Sequence, residues 1–130
     1  MYDRSIVFSK DLLDNFYTLS YGKDIAEGIA SIIGNEKAVG EIFHIVQNKS
    51  YQWRTILEIY LSTLEKVIGK RPKLVLTEKC TNLQLDYARY QVLYGRYFNR
   101  FFDNSKISNY IDTENGGNQI LDWLSVWKNL

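Results

Sequence analysis

An apolar pattern of helical period lies between two short apolar runs, and this unit limits the folds open to the chain. Residues 51–68 carry that pattern through Trp53, Ile56, Leu57, Tyr60, Leu64, Val67 and Ile68, which is typical of an amphipathic helix. Ser50 is predicted to cap its start and Gly69 to end it. The runs 40–46 and 73–77 on either side predict strands. A strand–helix–strand unit favours an α/β fold with parallel strands.

The rest of the chain continues the alternation of strands and helices. The sequence predicts further strands at 4–8 and 16–21 and further helices at 23–33, 82–101, 104–110 and 118–128. No linker rich in Ser or Gly divides the 130 residues, so residues 1–130 are expected to form one domain. The predicted class is α/β, with features of an α+β fragment: a small mixed sheet packed by helices.

Composition excludes several classes of function. The formal net charge is +1, so no global field draws the protein to nucleic acid or to an anionic membrane. Cys80 is the single cysteine, which rules out a disulfide framework and a cysteine-built zinc site. No apolar run approaches ~18 residues, and the start of the chain is not typical of a signal peptide. A cytoplasmic location without membrane contact is therefore expected.

The order and spacing of several segments resemble one known family. These segments are Tyr21-Gly-Lys-Asp24-Ile-Ala26-Glu-Gly28, Gly34-Asn35-Glu36-Lys37-Ala38-Val39-Gly40-Glu41-Ile42-Phe43-His44-Ile45, Ser50-Tyr51-Gln52-Trp53 with Ile56, Asp103-Asn104-Ser105-Lys106-Ile107, and Gly117 with Ile120 and Trp123. Together they are similar to the extended short-chain dehydrogenase/reductases of the NAD-dependent epimerase/dehydratase type. The resemblance covers roughly residues 4–125 and implies the carboxy-terminal, substrate-binding part of such an enzyme.

Two motifs of that family are missing from this chain. The glycines never form Gly-x-x-Gly-x-x-Gly, and none of the ten tyrosines is followed four residues later by a lysine. The resemblance therefore implies no catalytic and no cofactor-binding residues here, with NAD belonging to the full-length parent enzyme. It implies a nucleotide sugar as ligand and the missing Rossmann half as partner. The face left without that half predicts a homodimer as a further outcome.

The resemblance also implies which residues meet the substrate. Family members carry an arginine that contacts the diphosphate, and this role is assigned to Arg96, with Arg89 and Arg100 as rivals. The family's Arg-x-x-Asp is replaced here by Arg96-Tyr-Phe-Asn99, and a solvated arginine on a helix face is the competing interpretation. Tyr94 and Lys106 complete the predicted substrate-binding set, although Lys106 fits a helix-start role as well.

A tyrosine stripe within residues 87–101 admits two interpretations. Its three- and four-residue spacing favours the core-facing side of an amphipathic helix. Its interleaved arginines also suit stacking of a nucleobase, a sugar or single-stranded RNA. A small RNA-binding domain and a non-enzymatic interaction module are thus the alternative functions, and the near-zero net charge argues against the first. His44 is predicted to be a hydrogen-bonded core residue, because no partner for metal binding or catalysis is spaced near it.

Overall fold

The strands and helices belong to the α/β class predicted from the sequence. A computed structural model describes residues 5–82 and 87–111. The strands are β1 (Ile6–Ser9), β2 (Phe16–Thr18), β3 (Ser50–Gln52) and β4 (Leu74–Thr77); the helices are α1 (Gly22–Ile32), α2 (Trp53–Ile68) and α3 (Arg89–Gln91), which continues as a π-helix over Val92–Arg96. Short 3₁₀ turns lie at Lys10–Leu12, Glu36–Ala38, Cys80–Asn82 and Ile107–Asn109.

The four strands form two separate pairs. β1 pairs in parallel with β4, with Ile6 opposite Leu74. The connection between them contains β2, α1, β3 and α2, as a parallel pair requires a long crossover. β2 pairs antiparallel with β3, with Phe16 opposite Gln52. A parallel strand pair joined through helices is therefore present, but the parallel partner of β4 is β1 and not residues 40–46.

Helix α2 has the end predicted for it and a different start. Gly69 adopts a left-handed conformation with φ of 73°, and its N–H donates to the Glu65 carbonyl at 2.9 Å, a geometry that suits glycine. Ser50 does not cap the helix; it lies in β3, and its hydroxyl is 2.6 Å from that of Thr18. Neither α2 nor any other helix within 5–82 and 87–111 is long and apolar enough to cross a bilayer.

The core contains residues from both early and late parts of the described chain. Leu12, Cys80 and Val92 form its buried cluster, and the partly buried residues Phe8, Trp53 and Leu93 pack against it. The members come from the turn after β1, from the turn after β4, from the start of α2 and from the π-helix. Burial of these side chains fixes the π-helix against β1 and β4.

Residues 40–46, predicted to be a strand covered on both faces, are not a strand. Just after this run, the N–H of Gln47 donates to the carbonyl of Leu19, the residue that follows β2, at 3.2 Å. Ile42 is 83% exposed and His44 is exposed, so His44 is not a core residue. Its ring instead meets the Phe102 ring edge-on, with 5.4 Å between the ring centroids. An apolar run specifies a buried strand only where a neighbouring strand offers a ladder, and none does so among the described residues.

The predicted carboxy-terminal helices are much shorter than their patterns indicated. Among residues 87–101, helical structure spans residues 89–96, and within 104–110 a single 3₁₀ turn lies at Ile107–Asn109. Asp103 accepts the Ser105 N–H at 2.9 Å shortly before this turn. The predicted helix at 118–128 lies outside the described residues.

A partly buried carboxylate joins the ends of β1 and β4. Asp11 accepts a hydrogen bond from the hydroxyl of fully buried Ser9, and its two oxygens receive the Cys80 N–H at 3.0 and 3.1 Å. Burial, with the adjacent Asp11 charge, raises the pKa of the Cys80 thiol. Cys80 is therefore kept as a protonated core thiol.

Removing this carboxylate is expected to destabilise the fold. Asp11→Ala leaves the Ser9 hydroxyl and the Cys80 N–H without their acceptor, and we expect the free energy of unfolding in urea to fall by about 1–3 kcal/mol. Asp14→Ala is the matched control, because Asp14 only forms an exposed ion pair with Arg54 and should cost about 0–1 kcal/mol. Equal losses for the two variants would contradict this account of Asp11.

Candidate ligand-binding site

A wide helical turn presents the residues of the candidate site. The N–H of Tyr97 donates to the Val92 carbonyl at 2.9 Å, which closes a π-helical turn. Val92 is buried in the core, while Tyr94 on the same turn is exposed. π-helical turns are rare and occur frequently at functional sites. This turn anchors one apolar side chain and turns a tyrosine and an arginine toward the surface.

A cavity opens between this turn and β2. Its volume is about 280 Å³, and its lining residues are Tyr17, Tyr90, Gln91, Tyr94, Gly95, Arg96 and Arg100. Three of the five predicted substrate-binding residues, Tyr94, Arg96 and Arg100, are thus brought together in one place. The lining combines aromatic faces with two guanidinium groups, and a side-chain amide completes it.

Hydrogen bonds to β2 position the segment that follows the π-helix. Phe16 donates its N–H to Oδ1 of Asn99 at 2.8 Å and accepts the Arg100 N–H at its carbonyl at 2.9 Å. The Thr18 hydroxyl donates to the Arg100 carbonyl at 3.1 Å, and the Asn15 amide donates to the Tyr97 carbonyl at 2.5 Å. Both edges of β2 are therefore bonded, and the backbone of Arg100 is held at the cavity.

The two cavity arginines have no carboxylate partner among the described residues. The other ion pairs in this part of the chain join Lys10 to Glu78, Lys23 to Glu27, Arg54 to Asp14, Arg71 to Glu58 and Glu65, and Lys106 to Glu41. Arg96 and Arg100 are partly buried, and the Arg100 guanidinium donates to the Tyr94 carbonyl at 3.0 Å. Two cations that line one cavity, with no counter-charge from the described residues, favour an anionic ligand.

An exposed pair of stacked tyrosines borders the cavity. The rings of Tyr90 and Tyr94 are nearly parallel, at 11°, with centroids 6.1 Å apart. Tyr90 is 75% exposed and Tyr94 68%, and Tyr87, Phe98 and Phe101 are exposed as well. The interpretation of the stripe as a core face is therefore wrong. The same period here places aromatic rings on the surface, where planar ligand groups can stack on them.

Trp53 lies behind the cavity at the first position of α2. Its ring contacts Tyr17 and Phe8, with centroid separations of 5.1 and 6.2 Å. The guanidinium carbon of Arg96 is 5.7 Å from its ring centroid, a cation–π distance. Its indole N–H is buried and has no hydrogen-bond acceptor among residues 5–82 and 87–111.

The other predicted substrate-binding residues lie apart from the cavity lining. Arg89 is exposed and is not a lining residue. Lys106 forms an ion pair with Glu41, and its ammonium lies 5.7 Å from the ring centroid of Phe43. Contact of Arg89 and Lys106 with a substrate stays a prediction. Asp24, from the first family segment, lies in the first turn of α1.

Sequence reasoning missed Tyr17, Gln91 and Trp53 as parts of this site. Tyr17 was assigned only to a strand, and Trp53 only to the start of a helix. Gln91 could have been found from its position in the sequence, because it lies between Tyr90 and Tyr94 of the tyrosine stripe. No local pattern reveals that Tyr17 and Trp53 meet Arg96, since these contacts join residues far apart in the sequence.

Comparisons of the chain with protein-family models, with curated protein sequences and with solved structures found no match. The resemblance to the extended short-chain dehydrogenase/reductases therefore rests on the sequence segments alone. Within the part of the chain that the structure describes, no three His, Cys, Asp or Glu side chains come together to hold a metal ion.

The Lys106–Glu41 ion pair predicts a pH effect away from the cavity. Its hydrogen bond holds the pKa of Glu41 below its usual value, and the Ser105 N–H does the same for Asp103. A lowered carboxyl pKa stabilises the fold above the unfolded value of about 4. That contribution is lost as the pH falls through the lowered pKa values. NMR titration of Lys106→Ala should show the Glu41 pKa rising toward its usual value, while Lys49→Ala, an exposed control, should not change it.

The bond between Asn99 and β2 predicts a difference between two substitutions. Asn99→Ala removes the acceptor of the Phe16 N–H, and we expect the free energy of unfolding to fall by about 1 kcal/mol. Asn99→Asp keeps an acceptor oxygen at this position and should cost less. Urea denaturation measures both variants. A loss for the aspartate variant as large as that for the alanine variant would show that this hydrogen bond is not what stabilises the segment.

Proposed function

We propose that this chain binds a nucleotide sugar in the cavity between β2 and the π-helix and performs no catalysis by itself. The observation that carries the proposal is that one cavity joins a stacked tyrosine pair to two arginines that have no carboxylate partner within residues 5–82 and 87–111. A nucleotide sugar has the matching groups: a diphosphate, a planar base and a polar ring.

Different cavity residues bind chemically different parts of the proposed ligand. The guanidinium groups of Arg96 and Arg100 bind the diphosphate, since their forked donors match phosphate oxygens. The faces of Tyr90 and Tyr94 stack with the base or with the apolar face of the sugar. Gln91 and the Tyr17 hydroxyl supply hydrogen bonds to sugar hydroxyls.

The lining residues support binding without turnover. No histidine, cysteine or carboxylate is found among the residues described as lining the cavity, so the general acids and bases that enzymes use most are not present there. The sequence resemblance supports the same role, because the segments of the chain resemble the substrate-binding part of an epimerase/dehydratase and the Tyr-x-x-x-Lys motif does not occur in it. In a full-length parent, NAD bound elsewhere would accept the hydride.

Single-stranded RNA is the second candidate ligand. The exposed aromatic residues of this segment extend beyond the cavity, to Tyr87 and Phe101. Residues 87–111 carry four basic side chains and one acidic one, so this segment is locally positive although the whole chain is nearly neutral. Alternating rings and cations suit a single strand. Such binding would depend strongly on salt concentration.

A thermal-shift titration of the 130-residue chain tests the proposal. UDP-glucose or dTDP-glucose should raise the unfolding midpoint by mass action, whereas NAD⁺ should not. Arg96→Ala and Arg100→Ala should each weaken nucleotide-sugar binding roughly tenfold or more, because each removes a charge-assisted hydrogen bond.

Arg89→Ala is the matched control, since Arg89 is an exposed arginine of the same segment that does not line the cavity. Its variant should bind like the native chain. A midpoint shift with NAD⁺ and not with a nucleotide sugar would contradict the proposal. Salt-sensitive binding of oligouridine that Arg89→Ala weakens as much as Arg96→Ala would favour the RNA alternative.

A further inference from the structure

We propose that Trp53 is a positioning residue for the bound anion: its indole face holds the guanidinium of Arg96 at the cavity while leaving the N–H donors of that arginine available. The inference rests on the proposed nucleotide-sugar binding and adds a residue that does not line the cavity. The contact that carries it is the 5.7 Å separation between the Arg96 guanidinium carbon and the centroid of the Trp53 ring.

The indole is itself held firmly in place. The backbone N–H of Trp53 donates to the Asn15 carbonyl at 3.0 Å, which ties the start of α2 to the chain before β2. Its ring packs against Tyr17 at 5.1 Å and Phe8 at 6.2 Å between centroids. A side chain fixed by two strands and a helix start can fix a neighbour in turn.

A cation–π contact suits this task because of its direction. The attraction acts through the face of the aromatic ring, while the five guanidinium N–H donors lie in the plane of the guanidinium. The Arg96 guanidinium makes no hydrogen bond or ion pair with other residues of the described ranges. Arg100 differs, because one of its donors already bonds the Tyr94 carbonyl at 3.0 Å. Arg96 is therefore the pre-positioned donor of the pair, and pre-positioning lowers the entropy lost on binding.

The indole N–H gives a second reason to assign Trp53 a role beyond packing. This donor is buried without an acceptor in the part of the chain that the structure describes. An unpaired buried donor opposes folding. Phenylalanine would keep an aromatic ring at this position without the unpaired donor, but its cation–π attraction is weaker than that of tryptophan. The advantage of tryptophan here thus lies in the contact with Arg96.

A double-mutant cycle on the full 130-residue chain tests the inference, with UDP-glucose as the ligand in calorimetric titrations. Trp53→Phe should raise Kd roughly two- to fivefold in the native background, since the cation–π contact weakens. In the Arg96→Ala background the same substitution should leave Kd unchanged. Leu61→Val is the control: it shortens a buried side chain further along the same helix that does not line the cavity, and it should lower the thermal midpoint without changing Kd.

The outcomes separate this inference from the proposed function. If the native chain binds no nucleotide sugar, the proposed function fails and the role of Trp53 fails with it. If the native chain binds and Trp53→Phe either leaves Kd unchanged or weakens binding equally in both backgrounds, only the role of Trp53 is overturned. Near-UV circular dichroism reports whether Trp53→Phe is folded, and Trp53→Tyr, which also keeps an aromatic face, replaces it in the same cycle where it is not.

Discussion

The hydrogen bonds on both edges of β2 are the constraint on which the rest of the structure depends. This strand is only three residues long, and β3 pairs with one edge of it while Asn99 and Arg100 bond the other. Isolated pairs of such short strands are marginal in water. Bonding from both sides satisfies the backbone of β2 and brings together three regions distant in sequence. The cavity is a direct result, because Tyr17 belongs to β2 and Arg100 to the segment bonded to it.

The site departs from what stability alone would favour. Two partly buried cations that lack counter-charges among the described residues oppose a stable fold, and a row of exposed aromatic rings opposes a soluble one. The hydrogen bonds of the Asp11 carboxylate and the burial of Leu12, Cys80 and Val92 offset this loss of stability. Departures from local rules that gather at one place are typical of functional sites. Here they meet around a single π-helical turn.

Local patterns predicted the elements whose stability is local. Helices α1 and α2 and strand β4 lie within two residues of their predicted bounds, because helical period and glycine stops act within a few residues. Strand β3 was missed and residues 40–46 were wrongly assigned as a strand, because pairing depends on a partner elsewhere in the chain. The stripe over 87–101 has a helical period, yet the period alone does not say whether its rings meet a core or solvent.

The sequence predicted the chemical character of the candidate site but not its geometry. The family resemblance pointed to Arg96, Arg89, Arg100, Tyr94 and Lys106, and three of these five residues line the cavity. The tertiary contacts decide which guanidinium keeps its N–H donors available. One donor of Arg100 bonds the Tyr94 carbonyl, whereas Arg96 lies over the face of Trp53. The same residue type, four positions apart, thus makes two different contacts. One arginine bonds the backbone of the π-helical turn, and the other lies over an aromatic ring with its donors unbonded among the described residues.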